Sequence, residues 1–132
     1  MKIEHIGIAV VSIEEAARLY TEGLGLEVES VEEVPSDGVR AGMIRMGESR
    51  LELLESTRPG SPVDRFLQRR GPGLHHIAVE VDDIEAALAR LRTSGARLVD
   101  DMPRPGAGGT RVAFLHPSSA GGVLLELVEH AG

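Results

Sequence analysis

Two histidines and two glutamates stand at matching places in two similar stretches of this chain. HIGIAVVSIEEAARLY begins at His5 and HIAVEVDDIEAALARL at His76, so Ile13 matches Ile84, Glu14 matches Glu85 and Ala16 matches Ala87, an offset of 71 residues. Farther on, SRLELLE (Ser49–Glu55) matches VLLELVE (Val123–Glu129), which pairs Glu52 with Glu126. A carboxylate alternating into an apolar strand is costly to bury unless it meets a cation or a donor. Two imidazoles and two carboxylates suit a borderline divalent ion such as Co, Mn, Ni, Fe or Zn. With His5, Glu52, His76 and Glu126 as ligands, a six-coordinate ion keeps two positions for substrate oxygens. Such an ion polarises a carbonyl so that the adjacent C–H becomes acidic, and a carboxylate at its edge can take that proton.

Each residue alone has a plainer reading. A single strand histidine is more often structural than a ligand, and a single strand glutamate more often faces solvent. The duplication changes those odds, because independent structural roles would not require both pairs to fall at equivalent places. The other candidates lack that support. His75 lies on the strand face opposite His76 and reads as packed or hydrogen-bonded. His116 sits in a turn before Pro117, and His130 in a frayed tail. Glu32–Glu33 and Asp100–Asp101 read as solvated loop charge. No activated nucleophile and no phosphate-binding glycine loop is present.

The elements that must carry these residues repeat as well. Each half reads as strand, helix, then three strands, in a single domain with module one over 1–56, a linker over 57–72 and module two over 73–132. In the first strand Ile6, Ile8 and Val10 alternate with His5, Gly7 and Ala9; in its copy Ile77, Val79 and Val81 alternate with His76, Ala78 and Glu80. The bulky faces are expected against the helices, leaving room above the histidine faces. Ile13, Ala16, Ala17, Tyr20 and Leu24 share one helical stripe with the same spacing as Ile84, Ala87, Leu88, Leu91 and Gly95. Ser12 with Glu15 makes a capping box, and Asp83 is a second N-cap. Gly23 or Gly25 closes the first helix and Gly95 the second. Further strands are expected near 26–33, 39–47, 50–55, 96–100, 110–116 and 122–129. The linker holds a short helix near Val63–Leu67, and a Pro/Gly-rich loop, Met102–Gly109, flanks a cleft.

Composition narrows the functional classes. The 132 residues suit one domain, and 42% are apolar, but aromatics are only 2%, so Val, Ile, Leu, Ala and Met must build the core. A net charge of −7 with few aromatics argues against a nucleic-acid or anionic-membrane partner. Without cysteine, disulfides and thiolate metal sites are excluded. The apolar start, MKIEHIGIAV, is too short to span a bilayer and lacks a secretory cleavage pattern, so a cytoplasmic location is expected.

The repeat and its ligand pattern resemble the vicinal oxygen chelate superfamily, which includes glyoxalase I. Within it, EHIGIAV, ESRLELLEST, SPVDRFLQRRGPGLHHIAVEVDDI and FLHPSSAGGVLLELVE are similar to the methylmalonyl-CoA epimerases, and the similarity runs over nearly the whole chain. The doubled histidine after Gly-Pro-Gly and the Phe-Leu-His-Pro turn are its most specific parts. The resemblance implies an α+β fold, two tandem βαβββ modules forming a cupped mixed sheet around a divalent metal, with Co favoured, within a homodimer. It implies an acyl-CoA substrate and interconversion of (2R)- and (2S)-methylmalonyl-CoA by proton abstraction at C2 through an enolate. Glu126 matches the family ligand that is also proposed as one base. Some members carry glutamine at the place of Glu52. Some carry a third-strand glutamate as second base, where this chain has Ala41; Glu52 is then the second catalytic candidate by pseudo-symmetry. A lysine common after the His-Pro turn is replaced by Ser118, which leaves Arg104 and Arg111 as candidate phosphate contacts. Glyoxalase I, acting on a glutathione hemithioacetal, and a non-catalytic small-molecule binder are the competing readings.

Overall fold

The repeat in the sequence becomes a repeat of βαβββ modules. The computed structural model describes all of Met1–Gly132. It falls into two compact units, His5–His75 and His76–Gly132, the latter including Met1–Glu4.

In the first unit, β1 (Lys2–Ala9, from His5 onward) leads to α1 (Ile13–Arg18), then β2 (Val28–Val34), β3 (Val39–Met46), β4 (Ser49–Ser56) and α2 (Pro62–Arg70). The strands are ordered β2-β3-β4-β1. β4 pairs antiparallel with β3 and parallel with β1, with Gly7 beside Glu52 and Ala9 beside Leu54. Ser12 caps α1 by accepting from the Glu15 N–H at 3.2 Å. Val10, Ile13, Ala17, Ile44 and Leu53 are buried between helix and sheet, joined by Ile8 and Tyr20. Gly42 is required there, since a Cβ would stand 2.9 Å from Ile13 Cγ2. The opposite, histidine-bearing face is not wholly open. Ala9, Val39, Ala41 and Leu54 pack under Val63, Phe66 and Leu67 of α2. The linker helix thus covers one end of that face, started by Pro62 and capped by Ser61.

The second unit holds β5 (Gly73–Glu80, from His76 onward), α3 (Ile84–Thr93), β6 (Arg104–Pro105), β7 (Arg111–Leu115) and β8 (Leu125–Glu129), ordered β5-β8-β7-β6. β8 is parallel to β5 and antiparallel to β7, placing Ala78 and Phe114 on either side of Glu126. Asp83 caps α3 through the Ala86 N–H. Val81, Ile84, Leu88, Ala113, Leu115 and Leu127 form the helix-side core. A fully buried residue such as Ile84 contributes roughly 1.5–3 kcal/mol there. Ala78, Val112 and Val128 line the other face.

The α+β fold and the paired modules are as the sequence indicates, but two local expectations fail. Leu24 leaves the apolar stripe and is 61% exposed. Leu19–Gly23 forms a π turn after α1, and its wider i→i+5 bonding rotates later residues off the buried face. The strand expected at 96–100 reduces to one bridge, Leu98 with Leu115. Val99 and Asp100 both donate to the Phe114 carbonyl, while the Asp100 carboxylate takes the Phe114 N–H at 2.9 Å. A side chain has replaced the backbone partner, and the ladder stops. The short β6 lies instead inside the expected Met102–Gly109 loop. No helix is long and apolar enough to cross a membrane.

Candidate metal centre

Alternation along β1 and β4 sends His5 and Glu52 to one face of the first unit. His5 Nε2 lies 3.2 Å from Glu52 Oε1. Glu52 stands between Gly7 on β1 and Met43 on β3. Gly7 adds no side chain above the sheet, and Met43 supplies an apolar wall.

The second unit repeats this arrangement. His76 Nε2 lies 2.9 Å from Glu126 Oε1. Glu126 stands between Ala78, again small, and Phe114, again large and apolar. The Phe114 ring meets the His76 imidazole edge-on, with centroids 5.6 Å apart, which limits the ring's rotation. Met43 and Phe114 are themselves 71 residues apart. Laying β3 over β7 in the repeat would have found both walls from sequence.

All four candidates are buried: His5 is 4% exposed, Glu52 7%, His76 3% and Glu126 6%. Each offers one ligand atom, and no buried side-chain nitrogen or oxygen lacks a partner. The donor set fits a borderline divalent ion on chemistry, and each pair fits on distance. Two adjacent ligands about 2.1 Å from one ion stand about 3 Å apart, and the two observed separations, 3.2 and 2.9 Å, bracket that value.

The remaining candidates fall elsewhere. His75 packs edge-on against Phe66, centroids 5.0 Å apart. His116 Nδ1 accepts the Ser118 N–H at 3.0 Å and stands 2.8 Å from its hydroxyl, so Ser118 helps close the turn. His130 is not a frayed end. Its Nε2 lies 2.9 Å from Glu4 Oε2 and 3.3 Å from Glu80 Oε1, and Glu4 is buried. The two chain ends meet through this contact, which no local pattern could reveal. Asp100 is likewise structural rather than solvated, holding the Phe114 N–H and the Arg104 guanidinium. Glu32 and Glu33 are exposed, as expected, but they stand on strand β2 and not in a loop. Of the two arginines, Arg104 lies over the Phe114 ring at 5.4 Å. Arg111 is held by Glu85 and Glu129, and its hydrogen bond to Glu85, chiefly, raises its pKa above the ordinary arginine value.

Comparison with known proteins places this architecture. Residues 4–114 match the glyoxalase/bleomycin resistance protein/dioxygenase superfamily. An ethylmalonyl-CoA/methylmalonyl-CoA epimerase of Cereibacter sphaeroides is 41% identical over 128 residues, covering 96% of each chain. The mitochondrial methylmalonyl-CoA epimerase of Homo sapiens is 39% identical over 127 residues, 96% of this chain and 72% of that one. Among solved structures, a variant of the Streptomyces coelicolor methylmalonyl-CoA epimerase in complex with 2-nitronate-propionyl-CoA superposes with a TM-score of 0.96 at 40% identity, covering 100% of this chain and 96% of that one. The chain belongs to the glyoxalase/bleomycin resistance protein/dioxygenase superfamily and, within it, to the methylmalonyl-CoA epimerase family.

Proposed function

We propose that this protein interconverts the (2R) and (2S) epimers of methylmalonyl-CoA, using His5, Glu52, His76 and Glu126 as ligands of one divalent ion, with Co favoured. One observation carries the reading: a buried imidazole–carboxylate pair recurs in both modules of a chain from the epimerase family. In this reading both modules work as one domain, in a cytoplasmic homodimer. A bound divalent ion supplies Lewis acidity, which makes a C–H beside a polarised carbonyl more acidic.

The chain's own residues supply the rest. In this reading the Glu126 carboxylate, which lies 2.9 Å from His76 and is flanked by Phe114, takes the C2 proton. β3 carries Ala41 where some relatives have a glutamate, and Ala41 is packed into the apolar cluster under α2. No carboxylate can act from that position. Glu52, the counterpart of Glu126, is therefore the second proton carrier, and it returns a proton to the other side of C2. Met43 and Phe114 exclude water beside the two carboxylates, which keeps the proton transfers between Glu52, Glu126 and C2.

The test is hydrogen exchange. Metal-loaded protein incubated with methylmalonyl-CoA in heavy water should place deuterium at C2, and Glu126→Gln or EDTA should abolish it. Exchange that survives both treatments contradicts the mechanism. No exchange, together with turnover of the methylglyoxal–glutathione adduct, selects the glyoxalase I reaction instead.

A further inference from the structure

Each fourth strand carries two glutamates three residues apart, so their side chains leave opposite faces of the sheet. Glu52 and Glu126 face the histidines; Glu55 and Glu129 face the helices. In the first unit Glu55 Oε1 accepts the Ile13 N–H at 2.9 Å, and its Oε2 takes Arg40 Nη1 at 3.1 Å. Arg40 Nη2 then reaches Glu14 Oε1 at 3.2 Å. In the second unit Glu129 Oε2 accepts the Ile84 N–H at 2.9 Å, and its Oε1 takes Arg111 Nη1 at 3.0 Å. Arg111 Nη2 reaches Glu85 Oε1 at 3.0 Å. The same four residues, an isoleucine, an arginine and two glutamates, recur in equivalent places.

Helix capping alone does not require this network. Ser12 and Asp83 already satisfy a first-turn N–H of each helix from next to it, whereas the N–H groups of the buried Ile13 and Ile84 take their acceptors from 42 and 45 residues away. What the distant glutamate adds is a link between the strand–turn–helix segment and the fourth strand. In both modules it follows the last rung of the parallel ladder. Val10 donates to the Leu54 carbonyl at 2.9 Å and Val81 to the Val128 carbonyl at 2.8 Å, one residue before Glu55 and Glu129. The same ladders set Gly7 beside Glu52 and Ala78 beside Glu126. A slip of one residue would send either site carboxylate to the helix face.

We infer that Glu55 and Glu129 are positioning residues, each locking, with Arg40 or Arg111, the register in which its module presents a histidine and a glutamate to the metal. The inference rests on the metal-centre reading. Its test is Co(II) titration of the full chain, following both affinity and the visible absorption spectrum, in wild type, Glu129→Ala, Glu129→Gln, Arg111→Gln and the surface control Glu22→Ala.

Glu129→Ala should weaken Co(II) binding about ten-fold or more, the effect typical of residues that orient metal ligands, and should alter the spectrum. Glu129→Gln, which still accepts the Ile84 N–H, should recover most of the affinity, and Glu22→Ala should match wild type. A Glu129→Ala protein with a lowered melting temperature but wild-type affinity and spectrum overturns the positioning role. Should that variant fail to fold, Arg111→Gln decides between the same two outcomes. Wild-type protein that binds no Co(II) overturns the metal-centre reading, and the clamp's role with it; equal binding by wild type and variants overturns the clamp alone.

Discussion

Replacing Glu126 with glutamine should change the protein's stability in opposite directions with and without metal. Without metal, Glu126 is a carboxylate 6% exposed, paired with His76 at 2.9 Å. A glutamine of the same shape keeps a hydrogen-bonding group there and removes the cost of burying a charge, so the metal-free variant should melt at or above the wild-type temperature. With Co(II) at a hundred times its dissociation constant, linkage stabilises wild type by about 2.7 kcal/mol. An unfolding entropy of about 2.1 cal/mol/K per residue gives roughly 280 cal/mol/K for this chain, so the melting temperature should rise by about 10 °C. Loss of an anionic ligand should weaken binding by at least about a hundred-fold, the upper end of what outer-shell partners contribute. At the same Co(II) concentration the variant then gains only about 0.4 kcal/mol, a rise of one to two degrees. Differential scanning calorimetry of both proteins, with and without Co(II), measures all four values. An equal Co(II) shift in the two proteins, or no shift in wild type, would refute the reasoning.

Three further predictions concern the scaffold. Ser61 is 1% exposed, caps α2 through the Asp64 N–H and stands 2.7 Å from the Ser56 hydroxyl, so Ser61→Ala should cost about 1–2 kcal/mol in urea unfolding. Gly42→Ala should destabilise by about 1–3 kcal/mol, because its Cβ would meet Ile13 Cγ2 at 2.9 Å; calorimetry showing no loss would mean that α1 shifts freely. The pKa of Glu14 is lowered by its own backbone N–H at the helix start and then by Arg40. A depressed folded-state pKa stabilises fully above the ordinary glutamate value of about 4.3, and that stabilisation is lost as pH falls through the lower folded-state value. Any advantage of wild type over Glu14→Gln in urea unfolding should therefore be present at neutral pH and vanish in strong acid. An advantage that grows toward low pH contradicts that sign.

The architecture was legible because it was written twice. The offset of 71 residues sets β1 over β5 and α1 over α3, and period-2 alternation correctly places Glu52 with Leu54 and Glu126 with Val128. What stayed hidden depends on contacts between distant residues. Asp100 reads as loop charge because only the fold brings its carboxylate to the Phe114 N–H. His130 reads as a tail residue because its partner, Glu4, is 126 positions away. Leu24 fits the helical stripe only if α1 continues, and the π turn at Leu19–Gly23 breaks that phase. The aligned strings SRLELLE and VLLELVE also show Glu55 and Glu129 in plain view. Their bonds to helix starts 42 and 45 residues away have no local signature.

The central claim is that both imidazole–carboxylate pairs serve one ion, and X-ray absorption spectroscopy of the Co(II)-loaded protein tests it most directly. The account predicts one cobalt per chain, with two imidazole nitrogens among otherwise oxygen ligands, falling to one imidazole in His5→Ala and in His76→Ala. Two cobalt ions per chain with a single imidazole each, or a spectrum unchanged by either substitution, would contradict it.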